Sequence, residues 1–233
     1  MRTLIWYPIF AITLILTFPI LLYVKMRKKS MAEPEFLKLT EFIVRKWALI
    51  QVRTSGARFH ISGAENIPDE AVLFVSNHQS NFDIALFLAL IAKPKGFIAK
   101  IEILKVPILR TWMKYINCVF LDRKNLRQSA KTILDGIKIL KSGHSMVVFP
   151  EGTRSKGDAF GEFKAGSLKL ATKSKVPIIP VTINGSYKIM EANKNWIKPA
   201  DVYINIHPPI ATADLTDEEL AELPLRVERV IKV

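Results

Sequence analysis

The chain is poor in the side chains that carry metal and redox chemistry. Of its 233 residues one is cysteine, Cys118, and four are histidine: His60, His78, His144 and His207. A single thiol excludes an intrachain disulfide and any zinc site built from a cysteine cluster, and it suits a reducing, cytosol-facing environment. The 10 glycines fall in none of the phosphate-cradling patterns. There is no P-loop and no dinucleotide fingerprint, and no G-x-S-x-G elbow supplies a serine nucleophile. These gaps predict a protein that uses no metal, ATP or NAD. Acidic residues are also short, 21 against 34 Lys and Arg, for a formal charge of +13. Such a balance favours anionic partners, among them phospholipid, nucleic acid and phosphorylated metabolites. No nucleic-acid module is recognisable, so nucleic acid is not expected.

What the chain does have is an apolar N-terminus. Residues 1–24 are almost wholly apolar, and a basic cluster follows, Lys25-Met26-Arg27-Lys28-Lys29. As a helix this stretch would be about 36 Å long, against a hydrocarbon core of about 30 Å. It reads as a membrane segment, kinked by Pro8 and Pro19 or not. A cleaved signal peptide is the poorer reading, because no small-residue cleavage site precedes the cluster. The basic cluster places its own side of the segment in the cytoplasm, against anionic head groups. Residues 34–51 then space Phe36, Leu39, Ile43, Trp47 and Ile50 near a 3.6-residue period, with Lys38, Arg45 and Lys46 between. That is an amphipathic helix, lying either on a membrane surface or against a core.

From Phe59 onward strands and helices alternate. Strands are predicted at 59–63, 71–76, 96–99, 118–122, 145–149, 177–183 and 202–207, and helices at 81–91, 103–115, 126–141, 166–174 and 216–231. Near-continuous apolar strands between helices argue for an α/β domain with a mixed, mostly parallel sheet covered on both faces. The organisation expected is a two-helix membrane anchor over residues 1–55 and a catalytic domain over 56–233, a length that suits one well-cored domain plus an appendage.

Two strand-end segments carry chemistry: Asn77-His78-Gln79-Ser80-Asn81-Phe82-Asp83 and Phe149-Pro150-Glu151-Gly152-Thr153-Arg154-Ser155. On one regular helix His78 and Asp83 would point about 140° apart and could not cooperate. With His78 in the turn after the strand and Asp83 in the first helical turn, the carboxylate reaches the imidazole and forms a dyad. Ser80-x-x-Asp83 is equally a capping box, which leaves Asp83 a purely structural alternative. Gly152 permits a tight turn beside a ligand, and Arg154 offers a rigid fork of donors to a phosphate; a charged turn with a surface ion pair is the plainer reading. Arg123, after Asp122, and Lys100 stand at further strand ends as cations for an anion or as solvated charges.

Taken in order, His78-x4-Asp83, Val119-Phe120-Leu121-Asp122-Arg123, Phe149-Pro150-Glu151-Gly152-Thr153-Arg154-Ser155 and Val176-Pro177-Ile178-Ile179-Pro180-Val181 resemble the four blocks of the glycerolipid acyltransferases. Lys100-Ile101-Glu102 is similar to the Lys-x-Glu that this family carries between its first two blocks. The likeness is to bacterial 1-acylglycerol-3-phosphate acyltransferases and covers about residues 59–208. The chain departs from the pattern at Cys118, where a small Gly is common, and at Ile108-Leu109-Arg110, after Pro107. Both positions bear on acyl-chain and acceptor preference, not on the dyad.

The resemblance implies an enzyme that passes a fatty acyl group from a thioester, of coenzyme A or of acyl carrier protein, to the sn-2 hydroxyl of 1-acylglycerol 3-phosphate. It implies His78 and Asp83 as catalytic, and Lys100, Arg123, Glu151, Gly152, Thr153 and Arg154 as acceptor-binding, with cations on the phosphate and Glu151 on the glycerol side. The partners implied are a phospholipid membrane, lysophosphatidic acid and the acyl donor, with the catalytic domain on the cytoplasmic face of the cell membrane. Glycerol 3-phosphate or another lysophospholipid as acceptor is the alternative, and a non-enzymatic, membrane-tethered lipid-binding protein the remote one.

Overall fold

The computed structural model describes residues 1–232. Helices α1 (Arg2–Arg27) and α2 (Glu33–Ser55) precede an alternation of strands and helices: β1 (Arg58–Ser62), β2 (Leu73–Ser76), α3 (Phe82–Leu90), β3 (Lys95–Lys100), α4 (Pro107–Tyr115), β4 (Val119–Leu121), α5 (Leu126–Lys141), β5 (Ser145–Val148), α6 (Lys169–Ser174), β6 (Ile178–Asn184), β7 (Asp201–Ile206) and α7 (Asp217–Ile231). Among the described residues the strands form one seven-stranded sheet in the order β1-β7-β6-β2-β5-β3-β4. Neighbours run parallel except β6 and β7, which are antiparallel. The sheet is therefore mixed and mostly parallel, as the sequence pattern predicts.

Period-two alternation divides the core into two layers. Phe74 of β2, Phe97 of β3, Val147 of β5 and Val181 of β6 point to one face, where they meet Phe36, Val44 and Val52 of α2, Phe87 of α3 and Trp112 of α4. Leu73 and Val75, with Met146, Val148 and Ile178, point to the other face, against Leu140 of α5, Leu170 of α6 and Val227 of α7. Burying each such large apolar side chain contributes about 1.5–3 kcal/mol.

The predicted helix at 103–115 is divided. A 3-10 turn covers Ile101–Lys105, and α4 begins at Pro107. The residue before a proline is driven out of the helical region, and Val106 is extended, with φ −101° and ψ 100°.

Helix α1 is the one described helix long and apolar enough to cross a membrane. One side of it is built into the protein. Trp6, Thr17, Leu21 and Val24 are buried, the Trp6 indole donates to Gln51 O at 3.0 Å, and the Trp112 indole donates to Thr17 Oγ1 at 3.0 Å. Its other side exposes Leu4, Ile5, Ile12, Ile15, Leu16, Phe18, Ile20 and Leu22, and Phe42 and Ile50 of α2 are also exposed. Apolar groups shared with α3 and α4 make the helical pair continuous with the core of the sheet.

Candidate active site

In the parallel strands β2, β5, β3 and β4 the C-terminal ends share one edge of the sheet, the usual place for a site in an open α/β fold. Every predicted site residue but Asp83, which lies in α3, stands at or just after one of those ends: His78 after β2, Lys100 at the end of β3, Arg123 after β4, and Glu151 to Arg154 after β5. Registers that pair Phe74 with Val147, Phe97 with Val147 and Lys100 with Leu121 fix the relative heights of the loops.

His78 lies in the turn between β2 and α3, and Asp83 is in the first turn of α3. His78 Nδ1 is 2.8 Å from Asp83 Oδ2. The same Oδ2 accepts the backbone N–H groups of Gln79 at 2.7 Å and Ser80 at 2.8 Å. Only the carboxylate half of the predicted capping box forms: the N-cap is Asn81, with no side-chain cap bond, and Ser80 Oγ accepts the Phe82 N–H at 3.0 Å instead of that of Asp83, while Asp83 ties the turn and holds the imidazole. The side chain is fully buried, and Oδ1 has no partner among the described residues. A buried carboxylate beside Nδ1 requires a proton on that nitrogen, which leaves Nε2 with a free lone pair. The ring is a candidate base aimed outward, 16% exposed. Phe149 stacks on its face at 4.2 Å between centroids, tilted by 19°.

The second loop is laced to the first. Ser155 N–H donates to His78 O at 2.8 Å and Lys156 N–H to Gln79 O at 3.2 Å. Glu151 Oε1 accepts the N–H of His78 at 2.8 Å, and Oε2 accepts that of Gly161 at 2.7 Å. Each carboxylate oxygen is already engaged by the backbone. Burial raises the Glu151 pKa above the ordinary carboxylate value, against the lowering effect of those two amides. A side chain at Gly161 would place Cβ only 2.7 Å from Glu151 Oε2, so glycine lets the loop close over the carboxylate without displacing it. Gly152 has φ +70°, and its bare Cα lets the Arg123 guanidinium approach to 3.3 Å of where Cβ would stand.

Arg154 Nη1 donates to Glu191 Oε1 at 2.9 Å. Thr153, Arg123 and Lys100 are exposed, and their side chains have no hydrogen-bond or ion-pair partner among the described residues. The site therefore combines a buried dyad with a rim of cations. Cys118 is buried and its thiol is pushed up to about 12 by desolvation, which makes it inert as a nucleophile. Among the described residues no group of three or more His, Cys, Asp or Glu side chains is placed to hold a metal ion.

Sequence reasoning missed three contributors. Gln79 accepts the Gly185 N–H at 2.9 Å through its side-chain oxygen. Asn77 exchanges two hydrogen bonds of 2.8 Å with the backbone of Ile183. Glu191 follows β6 in a short turn, Glu191–Asn193, with no local pattern to mark it. Gln79 and Asn77 lie inside the quoted motif, so their position was visible and their work was not.

Comparison with known proteins agrees with the geometry. A family model described as "Acyltransferase" matches residues 58–184. A Mycoplasma pneumoniae protein named "Probable 1-acyl-sn-glycerol-3-phosphate acyltransferase" is 44% identical over 148 residues, covering 61% of this chain and 55% of that protein. A Borreliella burgdorferi 1-acyl-sn-glycerol-3-phosphate acyltransferase is 30% identical over 187 residues, covering 80% of this chain and 75% of its own. The crystal structure of the Thermotoga maritima 1-acyl-sn-glycerophosphate acyltransferase PlsC superposes with a TM-score of 0.82 at 33% identity, over 100% of this chain and 95% of that one. The chain spans little more than half of the Mycoplasma relative and nearly all of the Thermotoga structure. It belongs to the acyltransferase family.

Proposed function

We propose that the protein transfers a fatty acyl group from the thioester of coenzyme A or acyl carrier protein to the sn-2 hydroxyl of 1-acylglycerol 3-phosphate, giving phosphatidic acid. The observation that carries this reading is the 2.8 Å contact between His78 Nδ1 and Asp83 Oδ2, on a loop tied to the one that bears Arg154. His78 Nε2 takes the hydroxyl proton as the oxygen attacks the thioester carbonyl. A C–O bond forms, the C–S bond breaks, and the imidazolium returns the proton to the departing thiolate. Asp83 stabilises the imidazolium in between.

Lys100, Arg123 and Arg154 offer cations to the acceptor's phosphate, and Gly152 and Thr153 line its approach. Glu151, with one amide on each oxygen, shapes the glycerol side through the loops that it ties. The exposed apolar face of α1, continued by Phe42 and Ile50, supports a place for these helices in one leaflet of the cell membrane. Thr17, bonded to Trp112 of α4, and the Trp6 ring, packed against Phe82 of α3, favour that shallow position over a free crossing. The basic residues at the end of α1 then sit at cytoplasmic head groups.

The test is acyl transfer from each donor to lysophosphatidate in liposomes, with glycerol 3-phosphate and other lysophospholipids as competing acceptors. His78→Ala and Asp83→Asn are expected to lower kcat by about 10³-fold, within the range of general-base catalysis, while keeping the fold. Full activity in His78→Ala would remove the base from the mechanism. A preference for glycerol 3-phosphate would reassign the acceptor.

A further inference from the structure

Glu191 joins the two halves of the site. It lies outside all of the motifs, in the turn after β6, yet its side chain is 3% exposed and each of its side-chain hydrogen bonds among the described residues is to a motif residue. Oε1 accepts from Arg154 Nη1 at 2.9 Å and from the Asn81 N–H at 2.9 Å. Oε2 accepts from Ser80 Oγ at 2.6 Å, and Ser80 Oγ in turn accepts the Phe82 N–H at 3.0 Å. The carboxylate thus bridges the guanidinium of the second motif and the N-terminus of α3, where the helix dipole favours an anion.

We infer that Glu191 is a positioning residue for acceptor binding, holding the Arg154 guanidinium by one nitrogen so that its other donors face the substrate phosphate. The inference rests on the acceptor proposed above. Arg154 is 31% exposed, and a long side chain at such a place samples many rotamers unless something anchors it. Only Nη1 is engaged by Glu191, so the remaining edge of the fork stays available for the paired hydrogen bonds that a guanidinium makes with a phosphate. Glu191 also carries a charge that opposes an incoming phosphate. The Asn81 amide, the Ser80 hydroxyl and the dipole of α3 share that charge, which lets the anchoring effect dominate.

Steady-state kinetics with lysophosphatidate separate the two effects. Glu191→Ala is expected to raise the KM for lysophosphatidate about tenfold, the cost of losing a charge-assisted hydrogen bond, and to leave the KM for the acyl donor unchanged. Glu191→Gln keeps an acceptor oxygen toward Arg154 and Asn81, and should stay within about threefold of the parent. In an Arg154→Ala background the Glu191→Ala change should add nothing to the KM for lysophosphatidate, because the guanidinium that it positions is gone. Additive effects in that double variant, or a lower KM in both Glu191→Ala and Glu191→Gln, would overturn the inference; the latter would make Glu191 a competitor of the phosphate. Loss of folding in Glu191→Ala alone leaves Glu191→Gln and the Arg154 background to decide. An unmodified protein that acylates lysophosphatidate while Glu191→Ala shows the parent KM sinks this inference only, whereas no transfer to any lysophospholipid sinks the proposed function with it.

Discussion

The backbone N–H of His78 donates to Oε1 of Glu151 at 2.8 Å, so the first acidic residue of one strand-end segment sets the main chain of the base in the other. A side chain that reads as substrate-facing in the sequence is, in the fold, a clamp between two loops.

Glu151→Gln therefore tests alignment. The amide can offer an acceptor oxygen to only one of the two N–H groups, and its NH2 then faces the other, donor against donor. Releasing the His78 backbone moves the imidazole, and a displacement of about 1 Å at a reacting group costs about 10²-fold. The expected outcome is a kcat lowered by about 10²-fold with secondary structure retained in circular dichroism. An unchanged kcat at saturating substrates would show that the His78 position does not depend on this carboxylate.

The N-terminal helix gives a second prediction. Trp6 is 6% exposed, and its ring lies 5.3 Å from that of Phe82, the neighbour of Asp83. Helix α1 so packs against the start of the helix that holds the dyad. Trp6→Ala is expected to cost about 3–5 kcal/mol of stability and to lower activity even on detergent-dispersed substrate. Removal of α1 should leave an aggregating protein, because Leu21 and Val24 leave the core with it. Thermal melting and activity without any bilayer check both points. A truncated protein that is soluble and fully active in detergent would reduce α1 to a tether.

Much of this arrangement was legible in the sequence because it is local. Uninterrupted apolar runs such as residues 145–149 identify buried strands, and the strand-end loops announce themselves by residue types that regular structure avoids. The separation of His78 and Asp83 is settled within one turn, so its geometry follows from the loop-to-helix boundary. Glu191 was invisible for the opposite reason. Its partners lie 37 and 111 residues away, and only the closure of β6 beside β2 brings them together. The double use of Asp83 Oδ2 was likewise beyond reach, since tying the turn and holding the imidazole look like alternatives until one oxygen is seen to do both. The division of 103–115 was readable in principle from Pro107, and the apolar periodicity around it masked the break.

The third prediction concerns pH and lies at the opposite end of the sheet from the dyad. His144 precedes β5 and Glu41 faces it from α2, with His144 Nε2 3.8 Å from Glu41 Oε1, too long for a hydrogen bond. Desolvation lowers the His144 pKa from 6.5 to about 4, while desolvation, opposed by Lys95, raises that of Glu41 from 4.5 to about 7. Between pH 6.5 and about 4 the unfolded chain holds a proton on His144 that the folded chain refuses, so this contribution is full above 6.5 and is lost as the pH falls. Glu41 has the opposite sign. From about pH 7 down to 4.5 the folded chain keeps a proton that the unfolded chain has released, so stability grows as the pH falls. Each contributes at most about 1.4 kcal/mol per pH unit, and across their shared window the two slopes oppose each other. Lys95, lowered from 10.5 to about 7 by burial against the raising effect of Glu41, loses stability for the fold as the pH falls from 10.5 toward 7, and without Glu41 its titration moves down into that window. Removing one member exposes the other: between about pH 7 and pH 5, His144→Leu should gain about 2 kcal/mol relative to the parent, and Glu41→Gln should lose at least as much, since Lys95 then adds to the loss. Urea midpoints at the two pH values measure both differences, and the same sign of change in both variants would mean that the pair does not titrate as the fold requires.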